Sequence, residues 1–170
     1  MNYAEAQASL NESGSALAGK YLTFFLDKET YGLEILKVQE IIGMQEITSI
    51  PRTPPFIKGV INLRGKVIPV VDLRLKFGMA EAEVSRKTCI IVVQVQQVEA
   101  KVIMGIVVDE VSEVLEIGEA EIEPAPGFGT QVNTQFILGM AKAKDAVKIL
   151  LDLDKILSRD DLRAVAGIEG

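Results

Sequence analysis

The sequence predicts an all-β protein made of two related small barrels, and three observations support this prediction. Hydrophobic residues make up 48% of the 170 residues, aromatic residues only 5%, and Trp is absent, so a core must consist mainly of Val, Ile and Leu. A core rich in Val and Ile favours strands. Short apolar runs alternate with turn residues along the chain, which is typical of successive hairpins. The same hairpin pattern also occurs twice.

The first predicted hairpin follows a polar N-terminal segment. Residues 1–19 are small and polar, and they bury too little surface to offset the entropy of ordering, so we expect a disordered tail. Residues 21–26 then predict a strand, residues 27–30 a turn and residues 31–34 a returning strand. Residues 35–42 fit no single period, and a helical turn leading into a strand is the best interpretation.

Three further hairpins are predicted after a proline-rich loop at residues 51–55, where prolines remove backbone donors. The tight turn of the second hairpin is expected at Arg64 to Lys66. A Ser-x-x-Asp signal at Ser158 predicts a short C-terminal helix, so the β-domain spans residues 20–157 and a helix with a tail spans residues 158–170. The predicted strand pairs are residues 59–65 with 66–73, 89–96 with 101–108, and 136–144 with 146–153.

The chain matches itself at two offsets, which indicates an internal duplication. One offset places Gly59 on Gly139, a shift of 80, and the other places Gly32 on Gly105, a shift of 73. Barrels of this size are too small to bury a good core alone, so we expect them to share an apolar interface. The further matched pairs are Arg64 with Lys144, Val67 with Val147, Asp72 with Asp152, Leu73 with Leu153, Val38 with Val111 and Glu40 with Glu113.

Composition and charge exclude several classes of function. A net charge of -6 provides no broad basic surface for phosphates, which argues against a nucleic-acid partner. The longest apolar run, residues 102–108, is far shorter than the roughly 18 residues that span a bilayer, so we expect no membrane insertion. The N-terminus lacks the basic start and apolar run of a secretory signal, which predicts a cytoplasmic protein. The single cysteine, Cys89, lies in an apolar run and is expected to be a buried, inert thiol.

The residues offer little to catalysis. The chain has no His, the commonest general base and a frequent zinc ligand, and one cysteine cannot complete a thiolate site. The segment from Gly59 to Val67 has the wrong glycine spacing for a phosphate-binding loop. The pairs Asp109 with Glu110 and Asp152 with Asp154 could hold a cation or act as acid and base, but we expect solvated charges. We therefore predict no enzyme activity, no cofactor and no metal.

Two motifs stand close together in the chain, Phe56-Ile57-Lys58-Gly59 and Asn62-Leu63-Arg64-Gly65. They resemble the CheW-like domain family of bacterial chemotaxis. The resemblance continues through residues 67–74, 105–109 and 111–115, and it covers about residues 20–157.

The resemblance implies a fold and a set of partners. It implies two five-stranded, SH3-like barrels related by a pseudo-twofold axis, with hairpins interlaced between them, although this sequence leaves the interlacing open. It implies a non-catalytic adaptor that couples transmembrane chemoreceptors to the histidine kinase CheA in membrane-associated arrays. The implied partners are the cytoplasmic hairpin tip of the receptors, in a groove between the barrels, the regulatory domain of CheA, at a barrel edge, and other CheW copies in array rings.

The resemblance also marks candidate receptor-binding residues, but it marks none for the kinase. Glu40 and Arg64 match a charged pair that shapes the receptor surface. Val38, Ile41 and Val114 are expected to line an exposed groove that takes the apolar face of an amphipathic helix. The full set of candidates is Val38, Glu40, Ile41, Gly59, Asn62, Arg64, Gly105 and Val114.

Each candidate also has a simpler explanation. An exposed Glu–Arg pair contributes only about 0–1 kcal/mol and could be an ordinary surface pair. Gly59 and Gly65 could serve only a backbone conformation closed to other residues. The alternative function from another class is a small-ligand-binding β-barrel protein, and an enzyme that uses Asp109 or Asp152 comes third.

Overall fold

The computed structural model describes residues 3–12, 19–96, 101–124, 135–156 and 161. Eleven strands and two α-helices are assigned there, with short 3-10 turns at Ile35–Lys37, Glu119–Glu121 and Leu153–Lys155. The helices and strands are α1 (Tyr3–Glu12), β1 (Lys20–Leu26), β2 (Glu29–Glu34), β3 (Val38–Gly43), β4 (Ile57–Leu63), β5 (Lys66–Asp72), α2 (Leu73–Lys76), β6 (Cys89–Gln96), β7 (Lys101–Val108), β8 (Glu110–Glu116), β9 (Ile122–Glu123), β10 (Ile137–Ala143) and β11 (Ala146–Leu151).

The strands form two sheets, which confirms the all-β class with two β-subdomains. The first sheet has the order β8-β1-β2-β11-β10-β9, and the second has the order β3-β6-β7-β5-β4. The two-residue β9 extends the first sheet to six strands, one more than predicted. The sheets are interlaced, because the N-terminal hairpin β1–β2 joins the C-terminal hairpin β10–β11 through a parallel pairing of β2 with β11.

The two sheets repeat one pattern of pairing, which confirms the predicted duplication. In the first sheet, hairpin β1–β2 joins hairpin β10–β11 through the parallel strands β2 and β11, and edge strand β8 pairs with β1. In the second sheet, hairpin β6–β7 joins hairpin β4–β5 through the parallel strands β7 and β5, and edge strand β3 pairs with β6. Irregular pairing occurs at matched sites, before Gly59 and before Gly139. A backbone bond also recurs, from Asp72 N to Phe56 O at 2.7 Å and from Asp152 N to Phe136 O at 2.8 Å.

The expected apolar interface between the subdomains is present. Leu22 and Leu33 of the first sheet and Ile91 and Ile106 of the second belong to one buried hydrophobic cluster. Cys89 is fully buried in the same cluster, as predicted, and burial raises the pKa of its thiol to about 12. A thiol with that pKa is protonated and unreactive at neutral pH.

The expectation of a disordered tail over residues 1–19 is wrong for residues 3–12, which form α1. Ala, Gln, Glu and Leu are good helix formers, and a helix of this length gains most of its stability from packing. Ala6 supplies that packing, because it is fully buried in the main cluster. The composition of residues 1–19 gives little indication of this contact, because the buried side chain of Ala6 is only a methyl group.

The predicted C-terminal helix over residues 158–165 lies outside the described residues except at Asp161. Asp161 is helical and 8% exposed. Its Oδ2 accepts a hydrogen bond from Lys76 Nζ at 3.1 Å. The rest of this helix and the tail at residues 13–18 lie outside the described residues and stay predictions.

Candidate functional site

An ion pair links edge strand β3 to the β4–β5 turn. Glu40 Oε1 lies 2.7 Å from Arg64 Nη2. The pairing of β3 with β6 shifts between Val38 and Glu40, so Gln39 is an extra residue on β3. Such a bulge re-aims the side chains beside it. The Arg64 side chain is 71% exposed and that of Glu40 21% exposed, so the pair presents its cation to solvent.

The turn that carries Arg64 is a tight two-residue hairpin, as predicted. Leu63 pairs with Lys66, and both residues between them have positive φ, +51° at Arg64 and +86° at Gly65. This backbone is that of the two-residue turns that match the twist of paired strands. Asn62 Oδ1 accepts a hydrogen bond from Gly65 N at 2.8 Å and so fixes the turn. Asn62 therefore positions Arg64 through its side-chain oxygen.

The predicted groove residues divide into two groups. Val38 on β3 and Val114 on β8 are half-buried, and both pack against the main cluster. Ile41 is only 3% exposed, so the expectation that its side chain lines an exposed groove is wrong. Residues alternate between faces along a strand, but the bulge at Gln39 shifts this alternation, and sequence alone could not place it. The apolar part of the site therefore consists of Val38 and Val114.

Gly59 and Gly105 are buried, and both have a packing role. A Cβ on Gly59 would lie 2.0 Å from the backbone O of Thr48, and Gly59 has φ +142°. A Cβ on Gly105 would lie 2.6 Å from Ile90 Cγ2. These two glycines permit close approach of strands, and they contribute to a docking surface only by shaping it.

Sequence reasoning missed a second ion pair, which joins Lys144 to Glu113. It is the counterpart of the Arg64–Glu40 pair, since Lys144 has φ +52° at the β10–β11 turn and Glu113 lies on edge strand β8 next to Val114. The signal was present in the two repeat offsets, which place Arg64 on Lys144 and Glu40 on Glu113. The two offsets had to be combined to pair these residues.

Three of the carboxylates considered for catalysis, Asp109, Asp152 and Asp154, are partly exposed to solvent and also have structural partners. Asp109 accepts hydrogen bonds from Arg74 Nε at 2.8 Å and from the amide of Asp27 at 2.7 Å. Burial alone would raise the pKa of the Asp109 carboxyl, but these bonds and the charge of Arg74 lower it overall. Asp152 Oδ1 accepts from the amide of Asp154 at 3.2 Å, and Asp154 Oδ2 accepts from Lys37 Nζ at 2.8 Å.

The described part of the chain holds no group of three or more His, Cys, Asp or Glu residues placed to bind a metal ion. A cavity of about 50 Å³ lies beside Arg74 and Asp109. Ligand pockets are commonly about 300–1,000 Å³, so this cavity is too small for a metabolite. A larger depression of about 290 Å³ beside Leu36 and Lys37 is open to solvent.

Within the described ranges, no helix has the length and apolar character needed to cross a bilayer.

The geometry defines a class of protein: a duplicated, interlaced two-sheet module in which an ion pair joins an edge strand to a tight turn. Comparison with known proteins gives the family. The family model of the CheW-like domain matches residues 20–161. The chain belongs to the CheW-like domain family, whose members are chemotaxis scaffold or adaptor proteins.

Individual relatives agree along most of their length. The chain is 39% identical to the chemotaxis protein CheW of Klebsiella aerogenes over 156 residues, which cover 92% of each chain. It is 33% identical to the chemotaxis protein CheW of Bacillus subtilis over 83% of this chain and 88% of that one. The crystal structure of the scaffolding protein TtCheW from Thermoanaerobacter tengcongensis has a TM-score of 0.74 and 40% identity, and the match covers 84% of this chain and 94% of that chain.

Proposed function

We propose that this protein couples transmembrane chemoreceptors to the histidine kinase CheA, and that the receptor tip docks on β3, the β4–β5 turn and β8. The observation that carries the proposal is the Glu40–Arg64 pair. It holds an exposed guanidinium at the turn next to edge strand β3, and the apolar side chains of Val38 on β3 and Val114 on β8 are half-buried against the main cluster. A receptor hairpin is a pair of helices, and an amphipathic helix needs such an apolar strip with a polar rim.

The Glu40–Arg64 pair is better suited to orienting a bound receptor helix than to strengthening its binding. An exposed ion pair adds only about 0–1 kcal/mol to stability, so Arg64 is not needed to hold the fold together. Its guanidinium has five donors, and Glu40 Oε1 uses one of its terminal nitrogens, so others remain for a partner carboxylate. Arg64 can therefore fix the register of a docked helix.

Replacing Arg64 with alanine is expected to weaken receptor binding about 10-fold or more while the melting temperature changes little. Removing a charge-assisted contact from an interface costs about 2 kcal/mol or more when its partner stays buried, whereas the exposed pair contributes little to folding. Titration calorimetry with a chemoreceptor cytoplasmic fragment measures the first quantity, and thermal unfolding measures the second.

Lys142→Ala is the matched control for Arg64→Ala. The Lys142 side chain is 74% exposed and lies 3.8 Å from Glu123 on β9, and neither residue belongs to β3, the β4–β5 turn or β8. It removes a comparable exposed cation and is expected to leave receptor affinity unchanged. Equal losses of receptor affinity in both variants, or a loss of affinity that simply follows a fall in melting temperature, would refute the docking site.

The kinase contact is the second half of the proposal. The CheA regulatory domain is homologous to this module in the family, and we place its contact on a sheet edge away from Arg64. Arg64→Ala should then retain full binding to that domain in a pull-down. Loss of kinase binding together with receptor binding would show that the two surfaces are not separate.

In cells we expect the protein at cytoplasmic receptor arrays, with further copies of itself in the array rings.

A further inference from the structure

Helix α1 lies on the surface proposed for the receptor. It contacts β3 of the second sheet and β8 of the first, the two edge strands that carry Val38 and Val114. These strands are counterparts in the duplicated fold. The segment that was expected to be a tail therefore packs on both walls of the proposed docking site.

Polar and aromatic contacts attach α1 to β3. Gln7 Oε1 accepts a hydrogen bond from the backbone N of Ile41 at 2.6 Å. An edge strand leaves such amides without a strand partner, and a side-chain amide can take that place. The ring of Tyr3 covers Gly43, where an added Cβ would lie 3.1 Å from Tyr3 Cε1.

Apolar contacts attach the same face of α1 to the cluster under the site. Ala6 is fully buried, and Leu10 is partly buried against the cluster that Val38 and Val114 also join. Tyr3, Ala6, Gln7 and Leu10 are spaced three and four residues apart, so they lie on one side of the helix. The groove thus already holds a helix with an i, i+3, i+4, i+7 contact face, which is the mode of binding expected for a receptor helix.

We infer that α1 is an internal competitor that occupies the receptor-docking groove and must be displaced when a receptor helix binds. The inference rests on the proposed function. An isolated ten-residue helix is marginal in water, so α1 depends on its docking contacts and is expected to lose its helical structure when it is displaced. While α1 is docked, the apparent receptor affinity is reduced by the fraction of molecules in which the groove is open.

The test compares two single substitutions in the whole chain, made two residues apart and therefore on opposite sides of α1. Ala6→Glu places a charge at the fully buried contact, and Ala8→Glu makes the same change at an exposed position of the same helix. Ala6→Glu is expected to bind a chemoreceptor cytoplasmic fragment about 3- to 30-fold more tightly than the wild type, because the competitor is detached. Ala8→Glu is expected to bind as the wild type does.

A second measurement reports the position of α1 without reference to affinity. A nitroxide on Ala4→Cys labels the helix selectively, since the native Cys89 is fully buried. In the free protein the label should broaden the amide signals of β3, such as that of Gly43, and the receptor fragment should remove that broadening. In the Ala6→Glu background the broadening should be absent from the start.

The outcomes separate this inference from the proposed function. Two results would refute the competition by α1 and leave the proposed receptor coupling intact. One is equal receptor affinity of the wild type and Ala6→Glu, and the other is broadening of the β3 signals that persists in the complex. If neither the wild type nor either variant binds the fragment, the proposed receptor coupling fails, and the competition with it.

Discussion

Gly59→Ala is expected to lower the free energy of unfolding by about 3–5 kcal/mol, because it combines a backbone strain with an overpacked contact. The φ of +142° disfavours any side chain, and the new Cβ would lie 2.0 Å from Thr48 O and 2.7 Å from Thr48 C. Both atoms belong to a backbone segment held by the hydrogen bonds of Thr48 with Val60, so they cannot move aside cheaply. Urea unfolding followed by circular dichroism measures the change.

Two other glycines serve as controls for Gly59→Ala, because they separate backbone strain from the close contact. Gly118 has an ordinary backbone, and its added Cβ would lie 3.6 Å from Glu121 Oε1, so Gly118→Ala should stay within about 0.5 kcal/mol of the wild type. Gly65 has open space but φ +86°, so Gly65→Ala should cost about 1 kcal/mol through strain alone. If Gly59→Ala unfolds at the wild-type urea concentration, the close approach of β4 to the Thr48 segment is wrong.

The second large effect is expected for Asp109→Asn, which should destabilise the protein by about 2–3 kcal/mol at pH 7. Arg74 follows directly on β5 of the second sheet, in α2. Its guanidinium donates to Asp109 at 2.6 Å and lies 3.8 Å from Asp27 Oδ1 in the β1–β2 turn of the first sheet. The Arg74 side chain is 17% exposed and that of Asp109 25% exposed, so losing the carboxylate leaves a largely buried cation without its main partner.

The pH dependence of this effect follows from the lowered pKa of Asp109. A carboxyl whose folded pKa lies below its unfolded value contributes stability above the unfolded pKa, and this contribution is lost as pH falls through the folded value. The difference between wild type and Asp109→Asn should therefore be full at pH 7 and shrink below about pH 4. Urea titrations at pH 7 and pH 3 measure it.

The control for Asp109→Asn is Glu123→Gln, which removes a carboxylate that is 65% exposed and lies 3.8 Å from Lys142. It should change stability by less than about 0.5 kcal/mol. A destabilisation by Asp109→Asn that is constant from pH 7 to pH 3 would mean that the loss has a cause other than the charge on Asp109.

The Arg74 contacts have a consequence for an adaptor. A protein that holds two partners in a fixed relation needs a rigid connection between its two binding surfaces. In this protein the two sheets are connected by the shared apolar cluster and by the contacts of Arg74 with Asp109 and Asp27, which join turns of both sheets. Interlaced hairpins add to this rigidity, because neither sheet is a continuous stretch of the chain.

The sequence by itself determined the four hairpins and the duplication. Turn chemistry such as Asn62 to Gly65 acts within four residues, and apolar runs act within one strand, so both are visible locally. The sequence also determined which residues form the Glu40–Arg64 pair, because its motifs resemble those of a known family. The buried thiol of Cys89 followed from its apolar neighbours.

Tertiary structure alone decided which strands pair across the chain and what covers the site. The parallel contact of Leu33 with Leu151 joins segments from opposite ends of the sequence, and neither segment carries a local signal for the other. The burial of Ile41 depends on a bulge, and the docking of α1 includes small contacts such as the methyl group of Ala6 and the side-chain amide of Gln7. Contacts of this kind arise from shape complementarity between distant elements, whereas sequence patterns report only on the element that contains them.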